Sequence, residues 1–418
     1  MSAAVIVTGL GVVAPTGLGA AEHWRRTLAG DSAIGRITRF DAERYPSRLA
    51  GEIAGFEPRD HLPSRLIPQT DHMTRLALLA SDLALADART ERPERPEDAF
   101  SVGVVSAGSA GGFAFGHREL HKLWSQGPGH VSAYQSFAWF YAVNTGQISI
   151  RHNTRGPSGV LVTEQAGGLD AVGQGCRHIR QDIPRVVVGA VDGSPCPWGW
   201  VGQLAGGRLS TRDDPRRAYL PFDREANGQV PGEGGALLVL ESAEAVAARG
   251  APRYGEITGY AATFDPGPDS GRPRTLRRAA ELALREAGCD PGDIGVVFAD
   301  ADGRPEEDAA EAAALRELFG PYGVPVTAPK TMTGRLSAGG AALDLATALL
   351  ALRHRTIPPT VHVTRPDPAH ELDLVLVPRP LRAPAALVLA RGQGGFNAAM
   401  VVTPSAGVPT PQAEGQRR

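Results

Sequence analysis

Lysine is almost missing from this chain. Of its 43 basic residues only Lys122 and Lys330 are lysine, and the rest are arginine. Against them stand 45 acidic residues, for a formal net charge of −2. There is no basic excess of the kind a nucleic-acid binder needs, so no nucleic-acid partner is expected. Cysteine is nearly as scarce: Cys176, Cys196 and Cys289 are widely spaced and form no CxxC pair. That argues against a zinc ribbon, a thiol redox motif or a disulfide framework, and fits a reducing cytoplasm. No apolar run approaches the ~20 residues that cross a bilayer, so no membrane span is expected. The opening MSAAVIVTGLGVVAPTG has no basic n-region and reads as a strand and turn, not a leader. Richness in arginine and alanine suggests a GC-rich genome.

What is present is length and alternation. A chain of 418 residues exceeds what one core usually holds, roughly 250–300 residues. Short β-branched runs alternate with helical ones. AVIVTG (4–9), SVGVVSAG (101–108), GVLVTE (159–164) and RVVVGAVD (185–192) read as strands, the last apolar enough to be covered on both faces. Leu76, Leu79, Leu83 and Ala86 recur at helical spacing, as do Leu169, Val172, Cys176 and Ile179. The same order restarts near Tyr254 and ends in AALVLA and AAMVVT, a hairpin across RGQGGFN. The pattern predicts an α/β fold with an internal duplication: two mixed sheets, with helices between and outside them. The halves span 1–250 and 251–404, and residues 405–418 lack apolar periodicity and are expected to be a disordered tail.

LVTEQAGGLDAVGQG (161–175) is a strand turning sharply into a helix. Such elbows commonly carry a nucleophile. Here Gln165 occupies the turn, and a carboxamide is neither basic nor ionisable. No other group replaces it well. Cys176 falls on the apolar face of the following helix, and Cys196 lies between prolines in SPCPWGW; both read as packing. His117 and His121 stand one helical turn apart, a spacing that suits a metal, but no third ligand accompanies them and a solvated helix face is expected.

PFDREANGQVPGEGGALLVLE (221–241), PKTMTGRLSAGGAALDLATALLAL (329–352) and GQGGFNAAMVV (392–402) together resemble the thiolase-fold ketosynthase family along nearly the whole chain. The resemblance implies a duplicated αβαβα five-layer architecture and Claisen condensation by an elbow cysteine and two histidines. This sequence departs at each place: Gln165 stands for the cysteine, Asp300 for the first histidine, Arg335 for the second. The family's structural lysine is retained as Lys330, and the phenylalanine of its last glycine-rich turn is replaced by Gln393. Nucleophile, histidines and gating aromatic are missing together, so the chain is not expected to condense acyl groups itself.

TEQAGGLDAV, SAGGFAFGHRELHKLWSQG, HVSAYQSFAWFYAVN (130–144) and CPWGWVGQL (196–204) are similar to the ketosynthase beta subunits, or chain length factors, of bacterial type II aromatic polyketide synthases. That resemblance implies a heterodimer with a catalytic alpha subunit, and substrates carried on the phosphopantetheine arm of an acyl carrier protein docking mainly at the partner. No cofactor or metal of its own is implied. Phe113, Gly116 and Leu120, at i, i+3 and i+7 of one helix, with Trp198, match the positions that gate chain length. Glycine in a helix costs ~1 kcal/mol relative to alanine, so a space or packing reason is expected at Gly116. Missing bulk there would lengthen the cavity, toward a decaketide. The aromatics of 134–141, Tyr134, Phe137, Trp139 and Phe140 among them, are expected at the subunit interface.

Two readings of Gln165 stand open: a filler of a dead site, or a group that helps decarboxylate malonyl units to supply the acetyl starter. An Asp300–Arg335 ion pair would plug the site, and an ionised Asp300 would oppose an enolate. The chain as a whole then reads as a tunnel-shaping subunit, with a malonyl-carrier-protein decarboxylase and a purely structural dimerisation partner as alternatives.

Overall fold

The structure, a computed structural model, describes residues 3–90, 92–93 and 95–405. Apart from Ser405, the tail expected over 405–418 lies outside them. No helix among the described residues is long and apolar enough to cross a membrane.

Ten strands form the frame. In the first half they are β1 (Val5–Ala14), β2 (Val102–Ala107), β3 (Ser158–Leu161), β4 (Arg185–Asp192) and β5 (Gly234–Ser242). In the second they are β6 (Gly255–Phe264), β7 (Ile294–Phe298), β8 (Pro325–Thr327), β9 (Ala385–Gly392) and β10 (Phe396–Thr403). The spatial order is β3-β2-β4-β5-β1 in the first half and β8-β7-β9-β10-β6 in the second, which is one order used twice. Directions repeat as well: the first three strands of each series are parallel and the next two antiparallel. The duplication is thus topological, although little identity links the halves.

The two sheets foreseen in the sequence are joined. β1 and β6 pair antiparallel at Val5–Ile257, Ile6–Glu256 and Val7–Gly255, so one hydrogen-bonded path runs through both halves. Three residue pairs are a short seam, and the sheet folds about it around a shared central layer.

That layer is two helices, α3 (Gly167–Ile179) and α7 (Ala338–His354); in chain order, α1 is His72–Asp87, α2 Phe113–Gln126, α4 Pro197–Ala205, α5 Leu276–Ala287 and α6 Pro305–Phe319. α7 is buried on every side from Ala338 to Leu352, as a helix covered by two sheets must be, and Asp344 and Thr347 are its polar side chains in that stretch. α3 and α7 touch through backbone: a Cβ at Gly168 would lie 2.6 Å from Ala342 N. α1 covers the outer face of the first half-sheet, and α5 with α6 the outer face of the second, completing five layers. Leu169, Val172, Cys176 and Ile179, at helical spacing in the sequence, all enter the central core.

Leu169 is fully buried between the sheets. Leu169→Ala is expected to destabilise the chain by about 3 kcal/mol, the sum of lost transfer energy and a cavity that two rigid sheets cannot close. Urea unfolding followed by circular dichroism measures it.

Candidate functional site

The elbow forms where β3 ends at Leu161. Glu164 has φ 50°, the left-handed region that non-glycine residues enter at a cost. The last hairpin holds it there: the Gln393 backbone N–H donates to Glu164 Oε2 at 2.9 Å, and Gly392 abuts the Thr163 carbonyl too closely to carry a side chain. Gln165 is 1% exposed. Its amide lies flat on Gly340 of α7, where a Cβ would sit 2.6 Å from Nε2. Neither Oε1 nor Nε2 finds a hydrogen-bond partner among the described residues.

Beyond the elbow the site is filled with charge. Arg335 Nη2 meets Asp300 Oδ1 at 3.0 Å and Oδ2 at 3.2 Å, and its Nη1 donates to the Asp300 carbonyl at 2.7 Å. Arg391 adds a second cation: its backbone N–H donates to Asp300 Oδ1 at 2.9 Å, and its Nε lies 3.3 Å from Oδ2. Arg391 then reaches Glu307 at 3.0 Å and Glu311 at 3.3 Å. Lys330 Nζ donates to the carbonyls of Ala299 and Asp300 at 2.7 and 2.9 Å and pairs with Asp344 at 2.7 Å. Burial alone would raise the Asp300 carboxyl, but Arg335, then Arg391 and Lys330, hold it well below the usual carboxylate range. Burial alone would lower the Arg335 guanidinium, and Asp300 above all raises it instead. The pair is therefore charged and internally neutralised, and it offers no neutral imidazole-like donor to a thioester oxygen.

The cysteines do not substitute. Burial pushes the Cys176 thiol up to about 12. Cys196 Sγ accepts from Gly199 N–H at 3.4 Å as the cap of α4, and burial raises it too. A thiol that stays protonated is a poor nucleophile.

Of the four residues expected to gate chain length, Phe113, Gly116 and Trp198 are brought together, and Leu120 follows Gly116 one turn along the same helix. Phe113 and Trp198 stack with centroids 4.8 Å apart and planes 18° from parallel. Gly116 lies under them, but the void expected there is not found. A Cβ at Gly116 would meet Trp198 Cζ3 at 3.2 Å and Trp139 Cβ at 3.4 Å. The missing side chain lets indole pack against the helix backbone and does not by itself enlarge a cavity. Leu120 and Trp198 face outward, 36% and 41% exposed, on an open surface and not inside a closed tunnel. That surface continues through Tyr134, Trp139, Phe140 and Tyr141, all exposed, with Phe137 half-buried against Tyr134. β3 is the end strand of its sheet, hydrogen-bonded only to β2, with Val162 just beyond it 48% exposed. Gln393 is also exposed, and Arg208 donates to its Oε1 at 2.6 Å, so a polar contact stands where the resemblance implies the loss of an aromatic.

Arg391 escaped the sequence reading. Its signal was a lone cation closing the buried run AALVLAR. Only the pairing of β7 with β9, Phe298 beside Val388, carries it to Asp300. Gly340, the floor under Gln165, gave no signal at all.

A duplicated five-layer α/β chain with an elbow between its sheets defines the scaffold of a condensing enzyme, and the elbow's contents define one without a nucleophile. The chain matches the beta-ketoacyl synthase N-terminal domain over residues 2–245 and the C-terminal domain over residues 254–364. It is 58% identical to the actinorhodin polyketide beta-ketoacyl synthase 2 of Streptomyces coelicolor, over 97% of this chain and 100% of that one. It is equally 58% identical to the tetracenomycin polyketide synthase ketoacyl synthase beta subunit of Streptomyces glaucescens, over 96% of this chain and 98% of that one. Among solved structures, the ishigamide ketosynthase/chain length factor superposes with a TM-score of 0.86 at 26% identity, covering 97% of this chain and 100% of that one. A type II polyketide synthase acyl carrier protein in complex with its ketosynthase bound to the hexaketide gives 0.85 at 26% identity, covering 97% and 100%. The chain belongs to the beta-ketoacyl synthase family, among the ketosynthase beta subunits, or chain length factors, of type II polyketide synthases.

Two outcomes follow from the filled site. Gln165→Cys alone restores a thiol but no imidazoles, and the pure chain is expected to remain unable to elongate malonyl-loaded carrier protein; intact-protein mass spectrometry and product analysis read this. The Asp300 carboxyl is depressed in the folded state, so its stabilising contribution is full above its unfolded value of about 4 and is lost as pH falls toward the lower folded value. Arg335→Ala removes the main partner and is expected to cost about 3 kcal/mol near neutral pH, with a shallower loss of stability below pH ~4.

Proposed function

We propose that this chain is the non-condensing half of a ketosynthase pair, which closes the far end of a polyketide tunnel and sets the length of the poly-β-ketone built at its partner's cysteine. The observation that carries this reading is the buried Asp300–Arg335–Arg391 cluster beside a buried Gln165: the place of chemistry is occupied by charges that satisfy one another. The partner is an alpha subunit of the same fold. The free edge of β3 and the aromatic surface over 134–141 support this, because an unpaired strand edge beside exposed aromatics is stable when another chain covers it. The substrate arrives as malonyl units on the phosphopantetheine arm of an acyl carrier protein, docked mainly on the partner. The chain holds no cofactor of its own and works in the cytoplasm.

In this role the tunnel wall is completed only in the heterodimer, since Phe113, Leu120 and Trp198 are surface residues of the single chain. The far wall is the Phe113–Trp198 stack resting on Gly116. With no side chain at 116, the indole settles against the helix backbone, and a product longer than the shortest of the class, a decaketide, is part of this reading. The decarboxylase reading draws on the two unpartnered amide atoms of Gln165. It is opposed by their burial and by the ionised Asp300, linked to the elbow through the segment Arg391–Gln393.

Gly116→Leu in the complex is expected to push Trp198 off Phe113 and to shorten the product by one or more extensions; liquid chromatography with mass spectrometry of products made from malonyl-loaded carrier protein measures it. Unchanged length would sink the tunnel reading. Val160→Pro, which spoils the free edge of β3, is expected to abolish the heterodimer in size-exclusion chromatography while the single chain still folds.

A further inference from the structure

We propose that Gln135 is a second determinant of product length, its side-chain carboxamide holding the keto and enol oxygens of the growing chain as it passes Gly116. The inference deepens the tunnel reading above and rests on it.

Gln135 opens the short helix Gln135–Ala138. Its place is fixed from α2. Glu119, buried on that helix, accepts from the Ser132 backbone N–H at 2.7 Å and from Lys122 at 2.7 Å. Ser132 in turn accepts the Gln135 backbone N–H at 3.0 Å. The side chain reaches the gate from there: Nε2 lies 3.8 Å from the point a Cβ at Gly116 would occupy, the third neighbour of that point after Trp198 and Trp139. It is the one polar side chain among those three. Its Oε1 is buried without a hydrogen-bond partner among the described residues. The oxygen is enclosed by the chain, so the end of the amide left for a ligand is Nε2, the one beside Gly116.

The chemistry of the ligand fits. A poly-β-ketone bears oxygen on every second carbon, and each 1,3-diketone unit has an enol form with one donor and one acceptor. The Nε2 end of the carboxamide donates to the keto oxygen or to the enol oxygen of such a unit. Each extension advances the chain by two carbons, so an oxygen is presented to Gln135 at every stage once the chain reaches Gly116. Chains that stop short gain nothing from it. A reduced hydrocarbon chain of equal length would leave the amide unpaired, so the same contact selects for unreduced chains.

The test uses the heterodimer co-purified with its cysteine-bearing partner and supplied with malonyl-loaded carrier protein. Gln135→Met keeps the length of the side chain and removes both hydrogen-bonding functions. The ratio of shorter to full-length product, read at matched consumption of malonyl units, is expected to rise about tenfold with the heterodimer intact, as for the loss of one hydrogen bond to a bound chain. Should Gln135→Met fail to accumulate folded, Gln135→Leu is read in the same way. An unchanged ratio, while Gly116→Leu shortens the product, overturns the role of Gln135 and leaves the tunnel reading standing. Dissociation of the heterodimer by Gln135→Met also overturns it, because the amide then serves the partner chain. Unchanged products from both variants bring down the tunnel reading itself.

Discussion

Asp300 is the charge around which the second half of this protein is arranged. It is wholly buried, yet three cations converge on it: Arg335 from the loop before α7, Arg391 from the end of β9, and Lys330, which grips its carbonyl. A carboxylate buried alone would cost several kcal/mol, and so would either guanidinium. Together with Glu311 and Glu307 they neutralise one another, so that removing any one member strands the rest. They fill the space beyond the elbow. The cluster is a structural joint, tying β7, β9 and the α7 loop into one unit.

That joint holds together the scaffold of a condensing enzyme around an elbow that carries no thiol. The elbow, with Glu164 in a left-handed conformation, is a strained feature that functional sites justify. In this chain the strain is retained and the nucleophile is gone. The surrounding contacts, Gln393 to Glu164 and Gln165 on Gly340, still fix the geometry. The elbow is a packing element between α3 and α7, and aromatic rings are exposed on the surface of α2, α4 and the segment 134–141.

The gate shows why shape cannot be read from side-chain volume alone. A glycine on a tunnel helix reads as a hole. The structure fills that hole with Trp198 and the Cβ of Trp139, because flat rings settle onto bare backbone when nothing holds them off. The consequence of Gly116 is then close packing of the indole on the helix, not an empty space.

The sequence by itself determined the scaffold and the loss of the thiol and both imidazoles. Periods of two and of three to four residues, restarting near Tyr254, are local properties of the chain and gave the duplicated α/β order. The residue types at 165, 300 and 335 decide chemistry wherever they sit, because an amide, a carboxylate and a guanidinium cannot do the work of a thiolate and two imidazoles. Tertiary structure alone decided what replaced that chemistry. Arg391 lies 91 residues from Asp300 in the chain and meets it only through the pairing of β7 with β9. The joining of the two sheets at β1 and β6, the closing of Trp198 over Gly116 and the unpaired amide of Gln135 are likewise contacts between distant segments. Such contacts depend on register and on which face a strand or helix turns inward, and no local pattern of residues encodes them.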